Sequence, residues 1–268
     1  MVIIMNKIHE TSIVSSSAKI GKNVSIGPYC KIDDNVTISD NVTILSHVSI
    51  SGKTYIGEST KIWPFAVIGS EPQDMKYDGE NGMLKIGKNN EIREHVTIHF
   101  GTKDGGMITK VGDNNLFMVG VHIAHDCKVG SNCVFANNAT LGGHVEVGDW
   151  AILGGLAAVH QWGRVGCHSF IGGLAAVTRD LLPYGMAVGN RAKLEGINLV
   201  GMRRRGFAKE DISEVKKAYS ILFEDESLEF SKRIEKLKGT KFKSQTAMNI
   251  TEFVSLETNR AYVSPSVS

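Results

Sequence analysis

The chain has 268 residues, room for one large domain or two small ones, and 42% hydrophobic with 22% charged residues excludes a disordered chain. Thirty basic against 28 acidic residues leave a formal net charge of +2, so bulk charge argues for neither nucleic acid nor a membrane surface. No apolar run approaches the ~20 residues of a membrane-spanning helix, and the first ten residues lack the long apolar stretch of a secretory signal.

The four cysteines, Cys30, Cys127, Cys133 and Cys167, form no C-x-x-C pair, the usage of a reduced cytosolic protein without a cysteine zinc site. Glycine is abundant (29) beside few prolines (5) and few aromatics (7%), a poor composition for a long helix bundle.

A six-residue repeat begins at Val14 and runs without a miss through Ile20, Ile26, Ile32, Ile38, Ile44, Ile50, Ile56, Ile62 and Ile68. It resumes at Ile86, Ile92 and Ile98. After a phase shift it continues from Val111 through Phe117, Ile123, Val129, Phe135, Leu141, Val147, Leu153, Val159, Val165, Ile171 and Val177. Four residues after each aliphatic position the side chain is usually small or β-branched, as at Val24, Cys30, Ala66, Ala139 and Ala157. Gly often follows the aliphatic residue directly, as at Gly21, Gly57 and Gly130. A period of six matches neither helix nor plain strand. It predicts short strands joined by tight turns, with three successive hexapeptides closing one triangular coil. Coils stack at about 4.8 Å, with the aliphatic residues filling the prism and the small residues and Gly turning its corners. This is the signature of a left-handed parallel β-helix built from hexapeptide repeats.

Two interruptions follow in chain order. Residues 70–83 keep the phase but put Asp74 and Glu80 where the prism needs apolar groups, so they form an external loop. A second external loop lies within 99–110, where the step from Ile98 to Val111 is no multiple of six. Long loops on a solenoid commonly carry function or assembly. The repeat stops near Asp180, and the pattern then changes. Residues 207–224 place Ile212, Val215, Tyr219 and Leu222 at helical spacing, and 227–237 and 245–258 read the same way. The expected organisation is a β-helix over 1–190 and a small helical C-terminal domain over 191–268, which would cover the open backbone edge of the solenoid.

With the three-hexapeptide coil as a ruler, four histidines fall in one stripe. One coil beyond His125 is Gly143 and two coils beyond is Gln161; His144 and His160 lie one residue to either side, and His122 lies three positions upstream. None occupies a prism position. A metal site and general acid–base catalysis both suit such a stripe. The spread does not converge on one metal centre, and loops rich in Asp and Lys point to a polar substrate, so general base catalysis is favoured. Gly143, stacked on His125, either turns a corner or offers its N–H to an oxyanion. Adjacent side chains diverge along a strand, so Asp126 can meet His125 only near a corner or through a neighbouring coil.

Several stretches resemble the UDP-N-acetylglucosamine acyltransferase family. They are Gln73-Asp74-Met75-Lys76-Tyr77, His122-Ile123-Ala124-His125-Asp126-Cys127, Ala136 to His144, Ala158-Val159-His160-Gln161, Gly189-Asn190, Gly196-Ile197-Asn198 and Arg204-Arg205-Gly206-Phe207. The resemblance extends from His9 to the C-terminal helices. It implies a cytoplasmic homotrimer with active sites between subunits, no cofactor and no metal, no nucleic-acid partner and no stable membrane insertion. The implied reaction moves a 3-hydroxyacyl chain from acyl carrier protein to the 3-hydroxyl of UDP-N-acetylglucosamine, the first step of lipid A biosynthesis. It implies His125 as general base, Asp126 as the residue holding its imidazole, and Gly143 N–H as oxyanion donor. Gln73, Asp74, Lys76, His122, His144, His160 and Gln161 would contact the sugar nucleotide or shape the cleft. Asn198, Arg204 and Arg205 would bind the nucleotide end.

Three positions bear on specificity. Val200 replaces a frequent acidic residue, Arg191 stands where the family sometimes has His near the acyl end, and Gly173 sits where acyl length is measured and leaves room for a longer chain. Arg203, Arg204, Arg205, Lys209, Lys216 and Lys217 crowd one helix, as either a dock for the acidic carrier or a solvated face. The competing readings are an amino-sugar N-acyltransferase, which usually carries an extra N-terminal domain, a histidine-ligated metal hydratase, and a non-enzymatic scaffold.

Overall fold

The computed structural model describes residues 6–225, 227–256 and 258–265. Its first two-thirds is a left-handed parallel β-helix. Short strands, mostly of two residues, stack into three sheets of eleven, nine and eight strands among the described residues. Neighbours in a sheet are one coil apart: Ser25 faces Thr43 and Ile26 faces Ile44, and much later Val134 faces Ile152. Every pairing is parallel except the last, where Gly185–Val188 turns back against Lys193–Ile197.

The hexad positions fill the prism. Ile26, Ile32, Ile38, Ile44, Ile50, Ile56, Ile62 and Ile68 are each at most 1% exposed, a burial worth about 1.5–3 kcal/mol per side chain. Phe117 and Phe135 occupy the same column with ring centroids 5.1 Å apart. Val14 and Ile20, in the first described coils, are only partly buried.

The corners are built differently from the sequence expectation. Most corner residues are not Gly but L-residues in the left-handed conformation: φ is 56° at Asn23, 61° at Asn41, 60° at Asp126, 62° at His144 and 65° at Trp162. Asn and Asp tolerate that region best; bulkier residues pay about 1–2 kcal/mol there, offset by the coils that fix them on either side. The Gly after each prism residue serves close stacking instead. A Cβ on Gly57 would lie 2.4 Å from the Gly87 carbonyl carbon of the next coil.

Two insertions leave the sheets intact. Lys61 pairs with Glu91, and Thr97 with His122, each partner displaced beyond a regular coil, so the coils there carry twelve and seven extra residues. The first insertion leaves between strands Val67–Ser70 and Met83–Ile86. The second leaves between Thr97–His99 and Ile108–Val111, with one 3-10 turn at Lys103–Gly105.

Four helices follow among the described residues: α1 (Leu199–Arg204), α2 (Lys209–Phe223), α3 (Phe230–Gly239) and α4 (Gln245–Ser255). The sequence pattern missed α1 as a separate element, and the basic residues expected on one helix divide: Arg203 and Arg204 end α1, Arg205 is its C-cap, and Lys209, Lys216 and Lys217 lie on α2. The expected 245–258 helix ends at Ser255, and its residue 257 lies outside the described residues, as do 1–5 and 266–268 of the two expected domains. α2 buries Val215, Ala218, Tyr219 and Leu222. The Tyr219 hydroxyl donates to the Pro183 carbonyl at 2.8 Å, fixing α2 to the segment where the solenoid ends. None of these helices is long and apolar enough to cross a membrane.

Candidate active site

The cleft lies on one corner of the prism, where Asp126, His144 and Trp162 take the left-handed position in successive coils. His144 N–H donates to the His125 carbonyl at 3.0 Å and Trp162 N–H to the Gly143 carbonyl at 2.9 Å. The left-handed turn at Asp126 brings two sequence neighbours together. His125 Nδ1 lies 2.8 Å from Asp126 Oδ2.

Asp126 is 3% exposed. Thr102 N–H donates to its two oxygens at 2.9 and 3.0 Å, and Thr102 Oγ1 donates to Oδ2 at 2.5 Å. Its own N–H donates to Thr109 Oγ1 at 2.7 Å. Burial alone would raise the carboxyl's pKa, but the bonds from His125 and Thr102 outweigh it and hold the pKa below the ordinary value. Asp126 is therefore an anion that only accepts. The proton between the pair sits on His125 Nδ1, so in the neutral imidazole it is Nε2 that carries the lone pair.

That lone pair faces a cavity of about 370 Å³. Asp74 Oδ2 stands 3.9 Å from Nε2, too far to bond. A Cβ on Gly143 would lie 2.6 Å from His125 Cε1 and 2.7 Å from Nε2, so only Gly leaves the imidazole edge open. Among the described residues the Gly143 N–H has no hydrogen-bond partner.

Burial disfavours the charged form of His99, His122 and His144. Burial pushes His99 down to about 4, helped by His122 and His125. Burial, then His125, lowers His122, whose Nδ1 is 2.7 Å from Thr97 Oγ1. Burial lowers His144, with Asp126 opposing. The His144 ring stacks flat on Trp162 at 3.7 Å and stands edge-on to His125 at 5.0 Å.

Gln73, Asp74, Lys76, His122, His125, Gly143, His144 and Gln161 all line this cavity, and Asp126 stands behind His125. Lys76 pairs with Asp104 across the two loops at 3.3 Å. The remaining expected residues do not line it. His160 is exposed, with Nδ1 3.1 Å from the Gln161 carbonyl. Gly173, Arg191 and Arg204 are exposed elsewhere on the chain. Arg205 Nη2 donates to the Trp150 carbonyl at 3.0 Å, with its guanidinium over the Trp150 ring. Asn198 has both ends of its amide committed. Oδ1 caps α1 by accepting from Gly201 N–H at 3.0 Å, and Nδ2 donates to the His168 carbonyl at 2.9 Å.

Comparison with known proteins settles the family. A model described as Udp N-acetylglucosamine O-acyltransferase, Domain 2, matches residues 180–263, and the bacterial transferase hexapeptide model matches 17–52 and 108–143. A Rickettsia bellii protein named acyl-[acyl-carrier-protein]--UDP-N-acetylglucosamine O-acyltransferase is 54% identical over 97% of this chain and 92% of its own. The chain belongs to the UDP-N-acetylglucosamine O-acyltransferase family. A protein of the same name from Thermodesulfovibrio yellowstonii is 49% identical over 93% of this chain and 96% of its own. The solved Francisella novicida UDP-N-acetylglucosamine acyltransferase superposes with a TM-score of 0.93 at 36% identity, over 97% of this chain and 95% of that one. The solved LpxA of Acinetobacter baumannii gives 0.89 at 41% identity, over 92% and 96%.

Within this acyltransferase family member, one sequence expectation needs correction. Donor atoms of His125, Asp126 and His144 do converge, all within 4.8 Å of one another. The spacing hid this because the left-handed corner turns Asp126 towards its neighbour. The Asp126 oxygens are already occupied by Thr102 and His125, so the donor set is built as a hydrogen-bonded relay rather than an open ligand cage. Sequence reasoning also missed His99, Thr102, Thr109 and Trp162. Trp162 was within reach, since it lies one regular coil beyond His144. His99 and Thr102 sit at the second insertion, where that ruler fails.

Proposed function

We propose that this protein transfers a 3-hydroxyacyl chain from acyl carrier protein to the 3-hydroxyl of UDP-N-acetylglucosamine, the first step of lipid A biosynthesis, with His125 as general base. The observation that carries the reading is the His125 imidazole, tied to an anionic Asp126 at Nδ1 and open to the cleft at Nε2 under Gly143.

The acceptor hydroxyl gives its proton to Nε2 as its oxygen attacks the thioester carbonyl carbon. Asp126 stays a carboxylate and stabilises the imidazolium. The Gly143 N–H donates to the tetrahedral oxyanion. Collapse breaks the carbon–sulfur bond, and the carrier's thiolate takes the proton back from Nε2. Asp74, Lys76, Gln73, His122, His144 and Gln161 hold the sugar nucleotide in the cleft.

Gly173, Arg191, Asn198, Arg204 and Arg205 join a site only when a neighbouring copy brings them, which is the homotrimer with clefts between subunits. There the exposed Arg204 matches phosphate as a bidentate donor, Arg205 adds positive charge from its place on Trp150, Asn198 serves by holding the start of α1, and Gly173 leaves room along the acyl groove. The work is cytoplasmic and needs no cofactor.

The test is acyl transfer from 3-hydroxyacyl carrier proteins of several lengths to UDP-N-acetylglucosamine, with and without chelator, for wild type and His125→Ala. Chelator-resistant turnover that falls by about two to four orders of magnitude in the variant is expected. No turnover with this acceptor, or turnover lost to chelator, would overturn the reading.

A further inference from the structure

We propose that Arg260, on the tail beyond α4, is a positioning residue for the cleft, holding in place the corner that carries Gln161 and Trp162. The proposal rests on the acyl-transfer reading of the cleft.

The corner is defined by a coil-to-coil hydrogen bond. The carbonyl just before each left-handed residue accepts from the left-handed residue one coil later: His125 from His144, Gly143 from Trp162. The next bond in the series would join the Gln161 carbonyl to Asp180 N–H. It does not form, because the solenoid ends there and Asp180 N–H donates to Ala261 of the tail instead, at 2.9 Å. Arg260 supplies a donor in place of that backbone N–H, beside His160 Nδ1, which lies 3.1 Å from the same carbonyl. Its Nη1 reaches the Gln161 carbonyl at 3.2 Å, its Nη2 the Thr178 carbonyl at 2.8 Å, and its Nε the Asp180 carboxylate at 3.0 Å.

One planar guanidinium thus spans three acceptors, which a lysine ammonium on a flexible stem does not reproduce. Its own placement is fixed from behind. Asp180 is fully buried and also takes Arg164 Nε at 2.7 Å, and Val263 N–H donates to the Asp180 carbonyl at 2.8 Å. The corner so held matters to the cleft, because Gln161 lines it and the Trp162 ring stacks on His144.

The test compares wild type, Arg260→Lys, Arg260→Gln and Val263→Ala in the same acyl-transfer assay, with thermal midpoints measured alongside. Arg260→Lys keeps the charge facing Asp180 and guards against loss of fold. Val263→Ala loosens the tail without touching the guanidinium. Loss of the bond to the Gln161 carbonyl, the one of the three that orders the binding surface, is expected to raise KM for UDP-N-acetylglucosamine about five- to tenfold in both Arg260 variants. Their kcat should stay within about twofold, and Val263→Ala should lower the midpoint with KM unchanged. Wild-type KM in a folded Arg260→Lys overturns the proposal while leaving the acyltransferase reading intact. A KM rise in Val263→Ala equal to that of Arg260→Lys also overturns it, since general loosening would then account for the effect. No turnover by the wild type overturns both.

Discussion

Gly143→Ala places one methyl group against the base and changes little else. The new Cβ would lie 2.6 Å from His125 Cε1 and 2.7 Å from Nε2, about 1 Å inside ordinary carbon contact. The Gly143 backbone is not in the left-handed region, so alanine brings no φ strain, and its N–H is retained. The imidazole must therefore yield, and it is held at Nδ1 by Asp126, whose carboxylate is held by Thr102. A displacement of about 1 Å at a reacting group costs on the order of 100-fold in rate, or about 2.7 kcal/mol of barrier. Gly155→Ala is the control. Gly155 sits at the same place in its hexapeptide, just before a left-handed residue, yet its Cβ would meet only the Asn137 carbonyl oxygen at 3.5 Å. The measurement is kcat and thermal midpoint for both variants. Gly143→Ala should lose about two orders of magnitude in kcat with its fold intact, and Gly155→Ala should stay near wild type. Wild-type kcat in Gly143→Ala would refute the claim that His125 acts from this position.

Thr102→Val removes the hydroxyl donor from a buried carboxylate but keeps the backbone donor, so it should cost about 1.5–3 kcal/mol of stability. It should also lower kcat, while Thr102→Ser restores both; urea melts and steady-state rates decide, and a Val variant with wild-type kcat sinks the relay. Stability should also fall on mild acidification. His99 and His168 are held near 4 in the folded chain by burial, His168 also by the Arg205 charge, against a normal 6.5. Between those pH values the unfolded chain binds more protons, so folding weakens as pH falls from 6.5 to 4, by up to about 3 kcal/mol per histidine. Unfolding free energies at pH 7.5, 6 and 5 check this, and His168→Phe should flatten the slope. A pH-independent value down to 4.5 would contradict it.

The prism was legible because its constraint is periodic within each uninterrupted run: a narrow column admits an apolar residue at each sixth position and nothing charged. The same ruler placed His125, Gly143 and Gln161 together wherever the coils were uninterrupted. It failed at the second insertion, which sets Thr97 beside His122 and so brings His99 edge-on to that histidine, with ring centroids 4.9 Å apart. Thr102 was hidden in the inserted loop, and Arg260 reaches Gln161 from 99 residues away. No local pattern encodes contacts of that kind. Asn198 shows a role that the sequence did not suggest. The resemblance places it at the nucleotide end, and within the chain its amide caps α1 and ties it to His168.

The corner conformation explains how a sequence-adjacent His–Asp pair comes to be hydrogen-bonded here, as the proposed base and its partner. On an extended strand His125 and Asp126 would point to opposite faces. At φ 60° the chain reverses, and the carboxylate folds back under its neighbour's ring. Asp is one of the few residues that enters this region at low cost. Asp126 thus satisfies the backbone demand of the solenoid and the electrostatic demand of the proposed base with one side chain. The next coil stacks rigidly above, fixing the distance from His125 to whatever occupies the following corner. A glycine there leaves a reacting space and a free N–H, and an aromatic residue two coils on closes the cleft against His144. The repeat that gives the fold its stability therefore also sets the spacing of the site, and loops, tail and neighbouring copies have only to complete it.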